Sequence, residues 1–130
     1  MFTHDDILSP LAITVIIDTK VRDPEIAAFV TQAHALIELF QIEIMSDTEL
    51  KKWFAANRDR ISDGLNGPRR NTMVLRALSK FKDEVHMENM YDAMVQISLS
   101  DDEYRSEESD LVKSAASLWG YNRPPIKITR

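Results

Sequence analysis

Apolar residues recur at three- and four-residue spacing along most of the chain, which is the period of an amphipathic helix. The pattern is clearest after Asp23–Pro24, where Asp can cap the first amides and Pro at the first helical position loses no hydrogen bond. The spaced apolar positions there are Ile26, Phe29, Val30, Ala33, Ile37 and Phe40. The pattern therefore predicts a helix over 24–41.

The segment 11–17 fits two structures. Ser9–Pro10 has the same start signal and favours a helix over about 10–19. The run ITVII at 13–17, however, is β-branched at every position, which favours a buried strand. We predict the helix and keep the strand as the alternative.

Helical patterns also fill the rest of the chain. Ser46 or Asp47, followed by Glu49, opens a third helix that ends near a turn-rich segment at 63–68, the clearest predicted loop. Two further apolar patterns lie on either side of a break near 82–84; their positions are Met73, Val74, Leu78, Phe81 and Val85, then Met90, Met94, Ile97 and Leu99. Ser106 can cap a last helix that ends at Gly120. The sequence therefore predicts an all-α, single-domain helical bundle of about six helices.

Length and composition agree with one soluble domain. The chain has 130 residues, 44% of them apolar, which matches a single globular domain. The last residues, RPPIKITR, have two prolines and no helical pattern, so we predict a domain over 1–121 and an extended C-terminal tail over 122–130. The chain has no Cys, so it has neither disulfides nor thiolate chemistry. Its net charge of −5 argues against a phosphate-binding surface as the main function, and we expect no nucleic-acid partner.

The apolar runs and the first residues bear on location. Leu11–Ile17 is much shorter than the roughly 20 residues of a spanning helix, so direct membrane insertion is not expected. The opening MFTHDD has two acids and no basic segment, unlike a secretory signal. We expect a cytoplasmic protein.

Two acidic segments resemble each other. DTKVRDPE at 18–25 and DDEYRSEE at 101–108 share an Asp at the first place, Arg at the fifth and Glu at the eighth, and each follows an apolar stretch and precedes a capped helix. The shared context indicates a duplicated helical hairpin.

The carboxylates of these segments have two interpretations. Acidic groups near a helix N-terminus are favoured by the helix dipole whatever else they do. Alternatively, they converge on a hard divalent cation such as calcium or magnesium. The candidate metal ligands are Asp18, Glu25, Asp101, Asp102 and Glu108.

The run at 90–121, MYDAMVQISLSDDEYRSEESDLVKSAASLWGY, resembles the tellurite-resistance TerB family, and 11–40 looks like the first copy of the family's repeat. The resemblance implies an all-α domain with paired helical hairpins, no established catalytic activity and a role in metal stress. It also implies binding to a protein partner, with integral membrane proteins at the cytoplasmic face of the membrane as the candidates. The family's acidic positions fall on Asp18, Glu25, Asp101 and Glu108, whereas its Gly after Asp is replaced by Thr19 and Asp102.

We therefore expect a non-enzymatic, TerB-like accessory or interaction domain with a divalent cation at its acidic interhelical turns. One alternative is a small hydrolase with a carboxylate-bound metal, which would use Asp101, Asp102 and Glu108 as ligands. Another is a purely structural helical oligomer. We also keep a homodimer as an alternative, in which an exposed apolar patch would be the dimer face.

Overall fold

A computed structural model of the chain describes residues 2–17, 23–99 and Leu118. The described residues form five helices and no strand: α1 (His4–Ile16), α2 (Asp23–Phe40), α3 (Asp47–Asn66), α4 (Arg70–Leu78) and α5 (Glu84–Ser98). The all-helical fold class is confirmed. The predicted last helix and the tail at 122–130 lie outside the described residues, except that Leu118 is helical and partly exposed.

Helix α1 lies at the centre of the bundle. It packs against each of the other four described helices. Nine of its residues are buried: Ile7, Leu8, Pro10, Leu11, Ala12, Ile13, Thr14, Val15 and Ile16. A helix that is apolar on nearly every side has to be surrounded by protein. This central position explains the β-branched run at 13–16, because burial among helices overrides its strand propensity.

The predicted start of this first helix is wrong. The helix begins six residues before Pro10, where Thr3 forms a capping box with Asp6. Pro10 lies inside the helix and cannot donate a backbone hydrogen bond to the carbonyl of Asp6. The Thr14 hydroxyl donates to the Pro10 carbonyl over 2.8 Å, which satisfies a buried polar side chain.

Helix α2 matches its predicted range to within one residue at each end. It ends in a Schellman motif: the amide of Ile42 donates to the carbonyl of Ile37, and the amide of Gln41 donates to that of Glu38. Gln41 has a positive φ of 57°, the left-handed conformation that Gly adopts most easily.

Helix α3 starts as predicted, with a capping box between Ser46 and Glu49. The predicted loop at 63–68 is wrong for its first four residues, because Asp63–Asn66 is the last turn of α3. Gly64 lies inside the helix, and a Cβ atom at this position would collide with the Met73 side chain. The glycine therefore allows α3 and α4 to approach closely.

The predicted break near 82–84 is confirmed, since Asp83 caps α5 by accepting hydrogen bonds from the amides of Val85 and His86. Two details of the apolar pattern differ from expectation. Phe81 is buried although it lies after the end of α4, and Val85 is 53% exposed although it fits the helical period. Phe81 stacks on Phe2, which explains why a residue between helices is buried.

Candidate functional site: a basic cleft among α1, α3 and α4

A cleft of about 500 Å³ lies where the first turns of α1 meet the C-terminal half of α3 and the length of α4. Its basic side chains are Arg60, Arg69, Arg76 and Lys80, and its acidic ones are Asp5 and Asp6. Its uncharged polar residues are Ser9, Asn57 and Thr72, and its apolar residues are Ile13, Ile61, Met73 and Ala77. Cations therefore outnumber carboxylates in the cleft by two.

Both carboxylates already have partners. The Lys80 ammonium donates to Oδ1 of Asp6 over 2.6 Å, and Oδ2 of Asp6 accepts the Thr3 amide over 3.0 Å. The indole Nε1 of Trp53 donates to Oδ1 of Asp5 over 2.7 Å. These bonds tie the N-terminal end of α1 to α3 and to the segment after α4.

The bonds to Asp6 change its acidity. Partial burial raises the pKa of Asp6, but the hydrogen bond and charge of Lys80, together with the bonds from Thr3, outweigh burial and hold the pKa below its ordinary value of 3.8. Asp6 is therefore a carboxylate at neutral pH, and it neutralises Lys80.

The arginines of the cleft form fewer hydrogen bonds than its carboxylates do. Arg60 donates to the side-chain oxygen of Asn57 over 3.0 Å. The guanidinium groups of Arg69 and Arg76 form no hydrogen bond or ion pair with any of the described residues. Two exposed, unpaired guanidinium groups on one cleft are suited to an anion, because each presents a fork of donors that matches carboxylate or phosphate oxygens.

Helix α4 adds to the positive potential. The N-cap residues of α1, α3 and α5 are Thr3, Ser46 and Asp83, and the side-chain oxygen of each accepts a hydrogen bond from an amide of the first turn. The N-cap residue of α4 is Arg69, whose side chain makes no capping bond. The positive end of the α4 dipole therefore meets a cation instead of an anion, beside Thr72 of the cleft.

The distribution of charge along the sequence indicates this site, although the net charge of the whole chain does not. Residues 51–82 contain nine basic residues: Lys51, Lys52, Arg58, Arg60, Arg69, Arg70, Arg76, Lys80 and Lys82. Only two acidic residues lie in this range, Asp59 and Asp63, so the segment carries +7 in a chain of −5 and the remainder carries −12. Such a charge asymmetry along a chain is evidence of an anionic partner.

Of the five predicted metal ligands, the structure describes only one. Asp18, Asp101, Asp102 and Glu108 lie outside the described residues. Glu25 is described and fully buried in the first turns of α2. Within 2–17 and 23–99, no three His, Asp or Glu side chains are grouped as a metal site would require. The cation site at the acidic turns stays a prediction.

The three histidines contact the segment that joins α2 to α3 or the helix ends beside it. Nε2 of His4 lies 2.7 Å from the carbonyl oxygen of Glu43, and Nε2 of His34 lies 2.5 Å from Oδ1 of Asp47. The His86 ring packs on Phe40, with ring centroids 4.2 Å apart. The three histidines are thus spread over the connection and its two ends.

Comparisons with protein-family models, with curated proteins and with solved structures give no match for this chain. The resemblance to the TerB family stays a prediction from the quoted residues. No helix in the described part of the chain combines the length and apolarity needed to cross a membrane. The arrangement of the cleft therefore carries the functional proposal.

Proposed function

We propose that this protein is a helical binding module that holds an anionic ligand in the cleft among α1, α3 and α4. The observation that carries the proposal is the pair of exposed guanidinium groups, Arg69 and Arg76, which have no partner among the described residues and line one cleft. As a binding module it requires no catalytic group, in keeping with the non-enzymatic interaction domain expected from the sequence.

The charges around the cleft support an anion over a cation. Oδ1 of Asp5 accepts a hydrogen bond from Trp53, and the two oxygens of Asp6 accept from Lys80 and Thr3, so three of the four carboxylate oxygens already accept hydrogen bonds within the fold. A cation entering the cleft would have to displace these donors and approach the arginines. An anion would meet Arg69 and Arg76 without breaking any of these bonds.

The test is a calorimetric titration of the full chain with inorganic pyrophosphate at low ionic strength, where charge interactions are least screened. We compare wild type with the double variant Arg69→Gln/Arg76→Gln. The matched control is Arg58→Gln/Arg70→Gln, which removes two positive charges from the same segment outside the cleft. Thermal unfolding of each variant checks that the fold is intact.

We expect saturable binding in wild type and in the control, and a loss of at least tenfold in the cleft variant. Equal loss in both double variants would show that pyrophosphate responds only to total charge, and would overturn the proposal. Absence of saturable binding in wild type would overturn it as well.

A further inference from the structure

The cleft has two chemically distinct parts. The basic groups are exposed to solvent, whereas Ile13 and Ile61 are buried and Met73 and Ala77 are half-buried. The four basic side chains and these four apolar side chains line the same cleft. A ligand that satisfies both parts has an anionic head and an apolar body.

The charge of the head follows from the cations. Arg60, Arg69, Arg76 and Lys80 face two carboxylates, which leaves two positive charges to be balanced. A phosphomonoester carries between about −1.5 and −2 at neutral pH, whereas a carboxylate carries about −1. A phosphomonoester therefore balances the cleft, and a single carboxylate does not.

The number of donors leads to the same group. Arg69 and Arg76 each present a fork of N–H donors with no acceptor among the described residues. A phosphoryl group offers three terminal oxygens around its phosphorus, so two forks can bind it from different directions and share one oxygen, whereas a carboxylate presents only two oxygens in one plane.

The size of the cleft indicates the body of the ligand. A volume of about 500 Å³ falls in the range of small-molecule sites, roughly 300–1,000 Å³. Inorganic phosphate would fill only a fraction of it and would leave the apolar floor in contact with water. An apolar group attached to the phosphate would cover Met73 and Ala77, the half-buried apolar residues that form the floor of the cleft, and would gain the free energy of their burial.

We infer that the cleft takes a phosphomonoester that carries an apolar group, with the phosphate between Arg69 and Arg76 and the apolar group on the floor around Met73. This inference rests on the proposed function and narrows it to one ligand class. The same chemistry occurs in aryl phosphates and in phosphatidic acid lipids, so both sources are tested.

The experiment is a set of calorimetric titrations of the wild-type chain in a buffer free of phosphate. The probes are inorganic phosphate, phenyl phosphate, benzoate and dihexanoyl phosphatidic acid below its critical micelle concentration. Phenyl phosphate and benzoate share the ring and differ in the head, whereas phenyl phosphate and inorganic phosphate share the head and differ in the body. The set therefore separates the two parts of the inference.

We expect phenyl phosphate or the phosphatidic acid to bind at least tenfold tighter than both inorganic phosphate and benzoate, and the tighter of the two identifies the source. The variant Met73→Gln should remove most of this advantage, since glutamine has a similar length and a polar end.

If inorganic phosphate and both phosphate esters bind with equal affinity, the apolar body is wrong and the inference fails. It also fails if benzoate binds as tightly as phenyl phosphate. In both of these cases the proposed function stands, provided that pyrophosphate binding depends on Arg69 and Arg76. If none of the four probes binds and pyrophosphate also fails, both are overturned.

Discussion

Lys80 and Asp6 are 74 positions apart in the chain, yet the Lys80 ammonium donates a hydrogen bond of 2.6 Å to the Asp6 carboxylate. The same carboxylate closes the capping box of α1 with Thr3. One side chain therefore both caps the central helix and connects its first turn to the segment after α4. It also sets how much of the positive charge of the cleft is left for a ligand.

Replacing Asp6 by Asn is expected to reduce the unfolding free energy by about 1 kcal/mol at pH 7, because the ion pair is lost and the capping box is weakened. The pKa of Asp6 is lowered in the fold. The contribution of the Asp6 carboxylate to the free energy of unfolding is therefore complete above the ordinary carboxyl pKa, and it disappears as the pH falls through the pKa of Asp6 in the folded protein.

Urea unfolding at pH 7 and pH 2 measures the change, with Asp59→Asn as a control, since Asp59 is exposed and has no partner among the described residues. Asp6→Asn should differ from wild type at pH 7, and the difference should be smaller at pH 2. A difference of the same size at both pH values would show that the effect does not come from the charge of Asp6.

Replacing Gln41 by Gly is expected to stabilise the protein by about 0.5–1 kcal/mol, because Gln41 ends α2 with a positive φ that costs an L-residue free energy. Part of the gain is offset by the greater flexibility of glycine in the unfolded chain. Urea unfolding measures the shift, and Gln41→Ala is the control that removes the side chain and keeps the strain. Equal stability of the Gly and Ala variants would contradict a strained helix end.

Replacing Gly64 by Ala tests the close approach of α3 and α4. Alanine favours the helix by about 1 kcal/mol over glycine, but its methyl group would displace the flexible end of Met73. The two effects oppose each other, so we expect a change within about 0.5 kcal/mol of wild type.

The background variant Met73→Ala removes the collision, and there Gly64→Ala should stabilise by about 1 kcal/mol. Thermal unfolding of the four proteins in the cycle gives the coupling between the two sites. Identical effects of Gly64→Ala in both backgrounds would contradict the contact with Met73.

Replacing Leu11 by Ala is expected to cost about 2–5 kcal/mol, because Leu11 is fully buried in the central helix and its loss leaves a cavity among several helices. Ile44→Ala is the control, since Ile44 is 82% exposed, and it should change stability by less than about 0.5 kcal/mol. Urea unfolding compares them. A small cost at Leu11 would contradict the central position of α1.

The helical fold was predictable because apolar spacing and capping signals agree over most of the described chain. Ser46 with Glu49 and the break before Glu84 show this agreement. The errors arose where packing overrides a local signal. Pro10 resembles a helix start but lies within a buried helix, and Gly64 resembles a loop but permits close packing against Met73.

The cleft was not predictable from local motifs, because its residues come from three helices and from the residues on either side of α4. Asp6, Arg60 and Lys80 are distant in sequence and form one site only through the folding of α3 and α4 around α1. The +7 charge of residues 51–82 was the available signal, and averaging over the chain concealed it. The sequence alone does not show which of the nine basic residues share a cleft.

The most direct test of the anion-binding cleft is a nitrogen-15 amide chemical-shift map of the full chain during titration with inorganic pyrophosphate. We expect the largest shifts at Arg69, Thr72 and Arg76, with only small shifts at Lys51 and Arg58 on the other side of α3. Shifts of equal size at all of these basic positions, or centred on Lys51 and Arg58, would contradict a specific site among α1, α3 and α4.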